Sequence, residues 1–400
     1  MSRPLGLGLL GLGVAGGLMA AAARTHPGVR LVAAADPDPV LRDRFHTAES
    51  LPVSTDLDGL LARDDVEAVY VATPHQMHRD HVVRVCVSGR HALVEKPMAL
   101  TLADCDDMAA AAADNGVALV VGHTHGFDPA VMMMRELVGS GAYGRLGMIA
   151  LWRYTDFLYR PRRPEELDTR LGGGILYNQL PHQVEIARTI AARSVRSVRA
   201  VTGTLDPARP TESACTALIE FADHSCASLV YSGYDHFDTD ELHDWVGVGG
   251  ARKTPVHGSA RRSLRGLDAD DEIRLRRCAG YSGDRPVPSG PHQPHFGELV
   301  VTCADADLRC GADDVRAYTS DGLVRLPIPA RSWPPGRGDV LQELVVAAAG
   351  RPVVHDGAFG RETLRVCLAV AQSAREHREI VLAPGPAEHA VATACSPSGN

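Results

Sequence analysis

The strongest constraint on this chain is a glycine pattern near its start. The uncharged run Leu5–Ala23 holds glycines at positions 6, 8, 11, 13, 16 and 17. A single apolar helix, as leader or membrane span, is a poor account of so many glycines, and strand–turn–helix is a better one. The turn is Gly11-Leu12-Gly13-Val14-Ala15-Gly16, a G-x-G-x-x-G that opens a helix. The first glycine permits the tight turn, the second lets a pyrophosphate approach the backbone, and the third lets helix and strand pack closely. The helix N-terminus then faces the phosphates. Asp36 ends the second strand 20 residues after Gly16, where a carboxylate accepts hydrogen bonds from an adenosine ribose. Asp38 follows, and no Arg or Ser adjoins Asp36 to receive a 2′-phosphate, so NAD is favoured over NADP. The plainer account of Asp36 is an ordinary turn aspartate ahead of Pro37.

The first 122 residues alternate short apolar runs with helical patterns, the mark of βαβ units and a parallel sheet. Strands are expected at Leu5–Leu10, Arg30–Ala35, Ala68–Ala72, His91–Val94 and Val117–Val121, with helices between them. Beyond a helix at Phe127–Ser140, strands are expected at Met148–Tyr154, Val195–Leu205, Cys215–Phe221 and Cys226–Tyr231, interrupted by one helix over Gly174–Ala191. The expected fold is therefore an α/β Rossmann domain, residues 1–122, followed by an α+β domain, residues 123–383, with a large open, mostly antiparallel sheet. Residues 251–294, rich in Arg, Gly, Pro and Asp, read as a long excursion or mobile flap. Helices are expected at Asp339–Ala349 and Phe359–His377, and a Pro/Ala/Ser-rich tail, 384–400, reads as disordered.

Composition narrows the partners. A net charge of −8 argues against general nucleic-acid binding. Nine scattered cysteines with no C-x-x-C pair suggest neither a disulfide framework nor a zinc knuckle, and fit a reducing cytoplasm. Of 41 basic residues only Lys96 and Lys253 are lysine. A GC-rich coding sequence explains the arginines; a surviving lysine is either chance or a need for an amine whose pKa can move.

Ligands bind at the carboxyl edge of a parallel sheet, so the turn Thr73-Pro74-His75 is expected to touch cofactor or substrate. His75, His78 and His81 lie three apart, but their rotation on a helix spreads them and no carboxylate completes a sphere. They read as a solvated or cofactor-flanking face, with no metal expected. The next strand ends in Glu95-Lys96-Pro97, a charged pair at that same edge. Asn178 and His182, four apart on an expected helix, share a face, with Glu185 one turn further. An imidazole, or a lysine depressed by burial, can accept the proton of an alcohol as hydride leaves the carbon. The plainer account of His182 is a buried histidine satisfied by Glu185.

These pieces, with Ala72-Thr73-Pro74, Gly122 through Phe127-Asp128-Pro129 and Gly172-Gly173-Gly174, resemble the Gfo/Idh/MocA oxidoreductases in order and spacing. The resemblance implies that Lys96 touches both nicotinamide ribose and substrate hydroxyl, and that His182 lies at the reacting carbon. It implies cofactor contacts from Gly11, Gly13, Val14, Ala15, Gly16, Asp36, Thr73, Pro74, His75, Glu95 and Lys96. Many sugar-oxidising members carry aspartate where this chain has Asn178, so a polyol substrate loses support. A closer resemblance, carried by Thr73–His78, Tyr154–Leu167, Tyr231-Ser232-Gly233-Tyr234 with His236-Phe237-Asp238, and His295-Phe296-Gly297, is to phthalate-type cis-dihydrodiol dehydrogenases. It implies NAD-dependent oxidation of a carboxylated cyclohexadiene diol to a catechol, in a homodimer or homotetramer assembled through the C-terminal sheet.

Arg160, Arg162 and Arg163 suit bidentate carboxylate binding; equally, Glu165, Glu166 and Asp168 neutralise them in a surface turn. His123 and His125 either line the pocket or serve the core. Asn178 and His125 join the arginines and His182 as expected substrate contacts. A same-family enzyme acting on another cyclic alcohol, keto-sugar or imine is the alternative. A non-catalytic NAD-binding regulator is a third reading, disfavoured because a sensor needs no proton acceptor.

Overall fold

The computed structural model describes residues 3–279, 281, 290–329 and 335–383. The chain alternates strand and helix: β1 (Leu5–Leu10), α1 (Val14–Thr25), β2 (Val29–Ala35), α2 (Pro39–Glu49), β3 (Val53–Ser54), α3 (Leu57–Leu61), β4 (Ala68–Val71), α4 (His78–Val87), β5 (His91–Glu95), α5 (Leu102–Asp114) and β6 (Leu119–Gly122). These strands form a six-stranded sheet in the order β3-β2-β1-β4-β5-β6 with every pair parallel. Covered on both faces, β1 and β4 are continuous apolar runs rather than alternating ones.

The remainder adds α6 (Pro129–Ser140), β7 (Leu146–Tyr154), α7 (Gly174–Asn178), α8 (Leu180–Ala191), β8 (Val195–Gly203), β9 (Ala214–Phe221), β10 (Cys226–Ser232), α9 (Ser259–Ser263), α10 (Ala269–Cys278), β11 (Glu298–Cys303), β12 (Ala306–Cys310), β13 (Asp314–Thr319), β14 (Gly322–Pro327), α11 (Arg337–Ala348), α12 (Gly357–Glu376) and β15 (Ile380–Val381). Nine described strands make one sheet, β14-β13-β12-β11-β7-β10-β9-β8-β15, antiparallel except where β7 meets β10. Its strands alternate: Ile149, Leu151, Ala217 and Ile219 enter a core shared with α6, α8 and α12, while Met148, Trp152, Val201 and Leu218 are exposed on the other face.

Four sequence expectations change. The helix expected over 174–191 breaks at Gln179 (φ −118°, ψ −42°), ahead of Pro181, so Asn178 and His182 do not share one helical face. Within the 251–294 excursion, residues 252–256 and 265–270 are exposed, while Glu272 accepts from Arg162 N at 2.9 Å and Tyr281 is seated on the body. Tyr281 is buried, and its N–H donates to Leu12 O at 2.9 Å, directly on the glycine turn. The hairpin strands β12, β13 and β14 were not among the expected strands: each is only five or six residues long, and although Ala306–Cys310 alternates apolar and polar residues, β14 is exposed along most of its length and shows no buried face. Residue 122 does not divide the cores: α11 buries Val340, Leu341 and Leu344 among Leu7, Leu9 and Ala34 of the parallel sheet. The expected tail, 384–400, lies outside the described residues. Among the described residues no helix is long and apolar enough to cross a membrane.

Candidate active site

The glycine turn after β1 has the shape its sequence requires. Gly11 has φ +101°, and a Cβ there would lie 2.6 Å from Ala72 O. A Cβ on Gly16 would meet Gly11 O at 2.1 Å, whereas one on Gly13 would meet nothing within 4 Å. Gly13 caps α1 without a side-chain hydrogen bond, leaving the first-turn amides of Val14, Ala15 and Gly16 to a ligand. That cradle, which a Cβ on Gly13 would enter, fits a pyrophosphate. Asp36 stands beside it: its Oδ2 accepts from Leu12 N at 2.7 Å and its Oδ1 from Asp38 N at 2.8 Å. The sequence search for a basic neighbour missed Arg42, one helical turn into α2. Its guanidinium folds back to donate to the carbonyls of Asp36 and Pro37, each at 2.8 Å.

The turn after β4 is pinned rather than solvated. His78 is fully buried, with Nε2 2.9 Å from Thr73 O and Nδ1 3.0 Å from Pro97 O, so it ties the β4 and β5 turns together. The expected solvated face is corrected at this residue. Pro74 leads into the short turn of His75, whose Nδ1 meets Gly172 O at 3.2 Å. Burial, aided by His78 and Lys96, pushes the His75 pKa down to about 3, so the ring is neutral.

β5 delivers Glu95 and Lys96 in opposite directions. The Glu95 carboxylate turns inward to Tyr70 Oη and to Arg337 Nη1, the latter at 2.8 Å. It is committed to the protein, which leaves only main chain for the expected cofactor contact. Lys96 Nζ donates to Asn178 O at 2.9 Å. Burial lowers the pKa of this ammonium and Arg337 and Arg162 add to the effect, against Glu95 and Glu185. Asn178 serves Lys96 with its carbonyl, while its amide donates to Gly172 O and Gly174 O, each at 2.9 Å. The amide nitrogen of Asn178 thereby braces the Gly172–Gly174 loop.

His182, at the start of α8, meets His125 with ring centroids 4.7 Å apart, and Phe296 packs on both at 4.8 and 4.6 Å. His125 Nδ1 is held by Asp128 at 2.7 Å. Burial first, then Lys96, drives the His182 pKa well below its ordinary value. His182 Nδ1 turns inward to Glu185 Oε2 at 3.8 Å, so Nε2 is the nitrogen available to a ligand. The structure thus brings together Lys96, His125 and His182.

The three arginines do not act as one cluster. Arg163 goes to Glu165 and Glu166 at 3.3 and 3.5 Å, the surface-turn alternative. Arg162 is buried over the Phe157 ring at 4.1 Å and donates to Phe157 O at 2.7 Å. Arg160 keeps 42% side-chain exposure, with Nε on Asp156 at 2.9 Å. After burial, its charge is the largest influence on Tyr231, whose hydroxyl donates to Gln179 Oε1 at 3.0 Å, one residue from Asn178. The site also uses Tyr70, Arg337 and His355, none of which carried a local sequence signal, and Phe296, which entered the sequence analysis only within the His295-Phe296-Gly297 motif. Among the described residues no group of three metal-ligating side chains is placed to hold an ion.

Residues 5–123 match the model of an oxidoreductase family with an NAD-binding Rossmann fold, GFO/IDH/MocA, and residues 131–260 match its C-terminal domain. The chain is 38% identical over 92% of its length, and 94% of the relative's, to a 1-carboxy-3-chloro-3,4-dihydroxycyclohexa-1,5-diene dehydrogenase of Comamonas testosteroni. A crystal structure from Bordetella bronchiseptica RB50, carrying a provisional dehydrogenase name, superposes with TM-score 0.91 at 45% identity, covering 95% of this chain and all of that one. An aldose-aldose oxidoreductase of Caulobacter crescentus, at 22% identity and TM-score 0.72 over 95% of this chain and all of that one, shares the fold.

Proposed function

The chain belongs to the Gfo/Idh/MocA family of oxidoreductases, and from that premise we propose that it oxidises a carboxylated cyclic cis-dihydrodiol to a catechol with NAD as hydride acceptor. It is an enzyme of the dehydrogenase type. The observation that carries the substrate class is the near full-length similarity to the Comamonas testosteroni protein, whose name specifies one carboxyl and two hydroxyl groups on a cyclohexadiene.

A nicotinamide dinucleotide, when bound, supplies the acceptor for hydride. The amides of Val14, Ala15 and Gly16 and the carboxylate of Asp36 are the groups to hold it, and that carboxylate makes NAD the preferred form. Lys96, charged and anchored on Asn178 O, hydrogen-bonds the substrate hydroxyl oxygen and orients it. His182 Nε2 receives the hydroxyl proton as the carbinol carbon gives up hydride. Loss of hydride and proton leaves a ring ketone, which tautomerises to the catechol, and aromatisation draws the oxidation forward. Arg160, whose Nε is paired with Asp156 at 2.9 Å but whose side chain keeps 42% exposure, offers its terminal guanidinium N–H groups to a carboxylate. With Arg163 committed to Glu165 and Glu166 and Arg162 to Phe157, one ring carboxylate suits this site better than the phthalate pair.

The test is NADH formation from purified protein and a panel of cis-dihydrodiols with and without ring carboxylates. Turnover confined to uncarboxylated diols would remove the role of Arg160, and turnover of a keto-sugar or imine alone would replace the substrate class. The exposed apolar face bearing Met148, Trp152 and Leu218 supports assembly into a homodimer or homotetramer. We place the enzyme in the cytoplasm, a compartment compatible with its eight described free cysteines.

A further inference from the structure

We infer that Glu185 is the positioning residue of this site: it fixes the His182 ring with hydrogen on Nδ1, so that Nε2 presents its lone pair, and it stabilises the imidazolium formed when His182 takes the substrate proton. The inference rests on the redox reading above and assigns a role to a residue that touches neither substrate nor cofactor.

Glu185 is fully buried on α8, three residues from His182. Three imidazoles from three segments surround its carboxylate. Oε2 faces His182 Nδ1 at 3.8 Å and His123 Nδ1 at 3.6 Å, and Oε1 faces His355 Nε2 at 3.6 Å. Oε1 also accepts from Gly126 N at 2.6 Å, which pins the carboxylate to the turn after β6. A glycine is needed at 126, because a Cβ there would lie 2.8 Å from that oxygen and 3.2 Å from His355 Nε2.

His182 Nδ1, Glu185 Oε2, His355 Nε2 and both nitrogens of His123 are buried without a hydrogen-bond partner. His182 Nδ1, His123 Nδ1 and His355 Nε2 face the Glu185 carboxylate across gaps of 3.6–3.8 Å, longer than a made hydrogen bond. Catalytic hydrogen bonds are commonly long before substrate binds. His355 lies between two carboxylates, with Nδ1 3.1 Å from Glu343 Oε2. Burial opposes its protonation, but Glu343 and Glu185 outweigh burial and raise its pKa. Burial likewise disfavours a charged Glu185, but the surrounding imidazoles hold it ionised. The other charged groups facing this hub are Lys96 and His125 toward His182, Asp128 toward Glu185, and Arg188 toward His123 and His355.

The proton balance is simple. The substrate O–H bond breaks as the Nε2–H bond of His182 forms, Glu185 offsets the new positive charge without taking the proton, and Nε2 releases it to solvent after product leaves. Glu185→Gln is expected to lower kcat about 100-fold, in the range of general-base contributions, with KM for diol and for NAD within about threefold. The acid limb of the kcat profile should move to lower pH, because removing the carboxylate makes His182 a weaker base. Glu185→Asp should recover part of the loss. Nitrogen-15 histidine NMR of the free wild-type enzyme supplies an arm that needs neither a variant nor a substrate. His182 is expected as the Nδ1–H tautomer, and its appearance as the Nε2–H tautomer overturns the inference. An unmoved acid limb in folded Glu185→Gln overturns it as well. If no dihydrodiol is turned over, the substrate class falls while the tautomer measurement still decides the role of Glu185.

Discussion

Lys96 Nζ donates to the main-chain carbonyl of Asn178 at 2.9 Å, joining the end of β5 to the turn that launches α8. The amine held there is close enough to His182 to lower that imidazole's pKa, and its own pKa is lowered chiefly by burial. Lys96→Met is expected to reduce kcat by about 10²- to 10⁴-fold while leaving NAD affinity, read by calorimetry, within about threefold. Lys96→Arg should not rescue, since a guanidinium neither fits the compact site nor shifts its charge. Turnover of the Met variant near wild type would detach Lys96 from the chemistry.

Glu95 gives a stability prediction with a defined direction. Burial alone would raise its pKa, but Arg337 and Lys96, with the Tyr70 hydroxyl, bring it down to about 2. A depressed carboxylate stabilises the fold fully above its ordinary value near 4.5 and loses that contribution as pH falls toward 2. The difference amounts to about 3 kcal/mol. Denaturant melts of Glu95→Gln should therefore show a large deficit at pH 7 that shrinks below pH 4. A deficit independent of pH would mean that the ionised carboxylate is not what holds Arg337.

Arg160 and Arg163 separate the two accounts of the arginine loop. Arg160→Ala should raise KM for a carboxylated diol about 10- to 100-fold, the loss expected for one charge-assisted fork of ~1.5–3 kcal/mol. Arg163→Ala, which loses only a surface contact with Glu165 and Glu166, should leave KM unchanged. Equal effects from the two would return the carboxylate to the loop as a whole. Arg162→Ala is a poor probe, because removing a buried guanidinium from Phe157 disturbs the loop itself.

Much of this architecture was legible because backbone needs are local. Gly11, Gly16 and Asp36 announce the nucleotide edge, since a left-handed turn and a close strand–helix approach admit few other residues. Glu95-Lys96-Pro97 was legible for a similar reason, sitting where parallel strands end. The parts that were not legible come from distant segments. His355, held on its other side by Glu343, reaches Glu185 only after α11 and α12 return to the parallel sheet, and Arg42 reaches Asp36 only once α2 has formed. Asn178 and His182 were placed on one helix because their spacing allows it; the break at Gln179 had a local signal in Pro181, which has no N–H to donate and disfavours helical backbone before it, and the Asn178 and Lys96 contacts then hold the turn. In the arginine loop, composition alone could not separate a fork from a surface pair.

The exposed face of the nine-stranded sheet makes a further prediction. Met148, Trp152 and Leu218 line it at 44%, 48% and 52% exposure, an apolar patch of the kind that copies of a chain cover. Trp152→Glu places a charge at its centre and should yield monomers by light scattering. Wild-type protein that is itself monomeric at micromolar concentration would remove this surface from consideration.

Cofactor choice turns on Asp36 and Arg42 together. On the proposed reading the Asp36 carboxylate, fixed by Leu12 N and Asp38 N, accepts ribose hydroxyls and repels a 2′-phosphate. Arg42 donates to the carbonyls of Asp36 and Pro37, and a phosphate is a stronger partner for it than a carbonyl. Asp36→Ala should therefore lower kcat/KM for NAD about tenfold or more, the loss of one or two hydrogen bonds of ~1 kcal/mol each, and raise it for NADP. Adding Arg42→Ala should abolish the gain with NADP without restoring NAD. The measurement is kcat/KM for both cofactors across the three proteins. If Asp36→Ala weakens both alike, the aspartate serves the Leu12 turn and not the choice of cofactor.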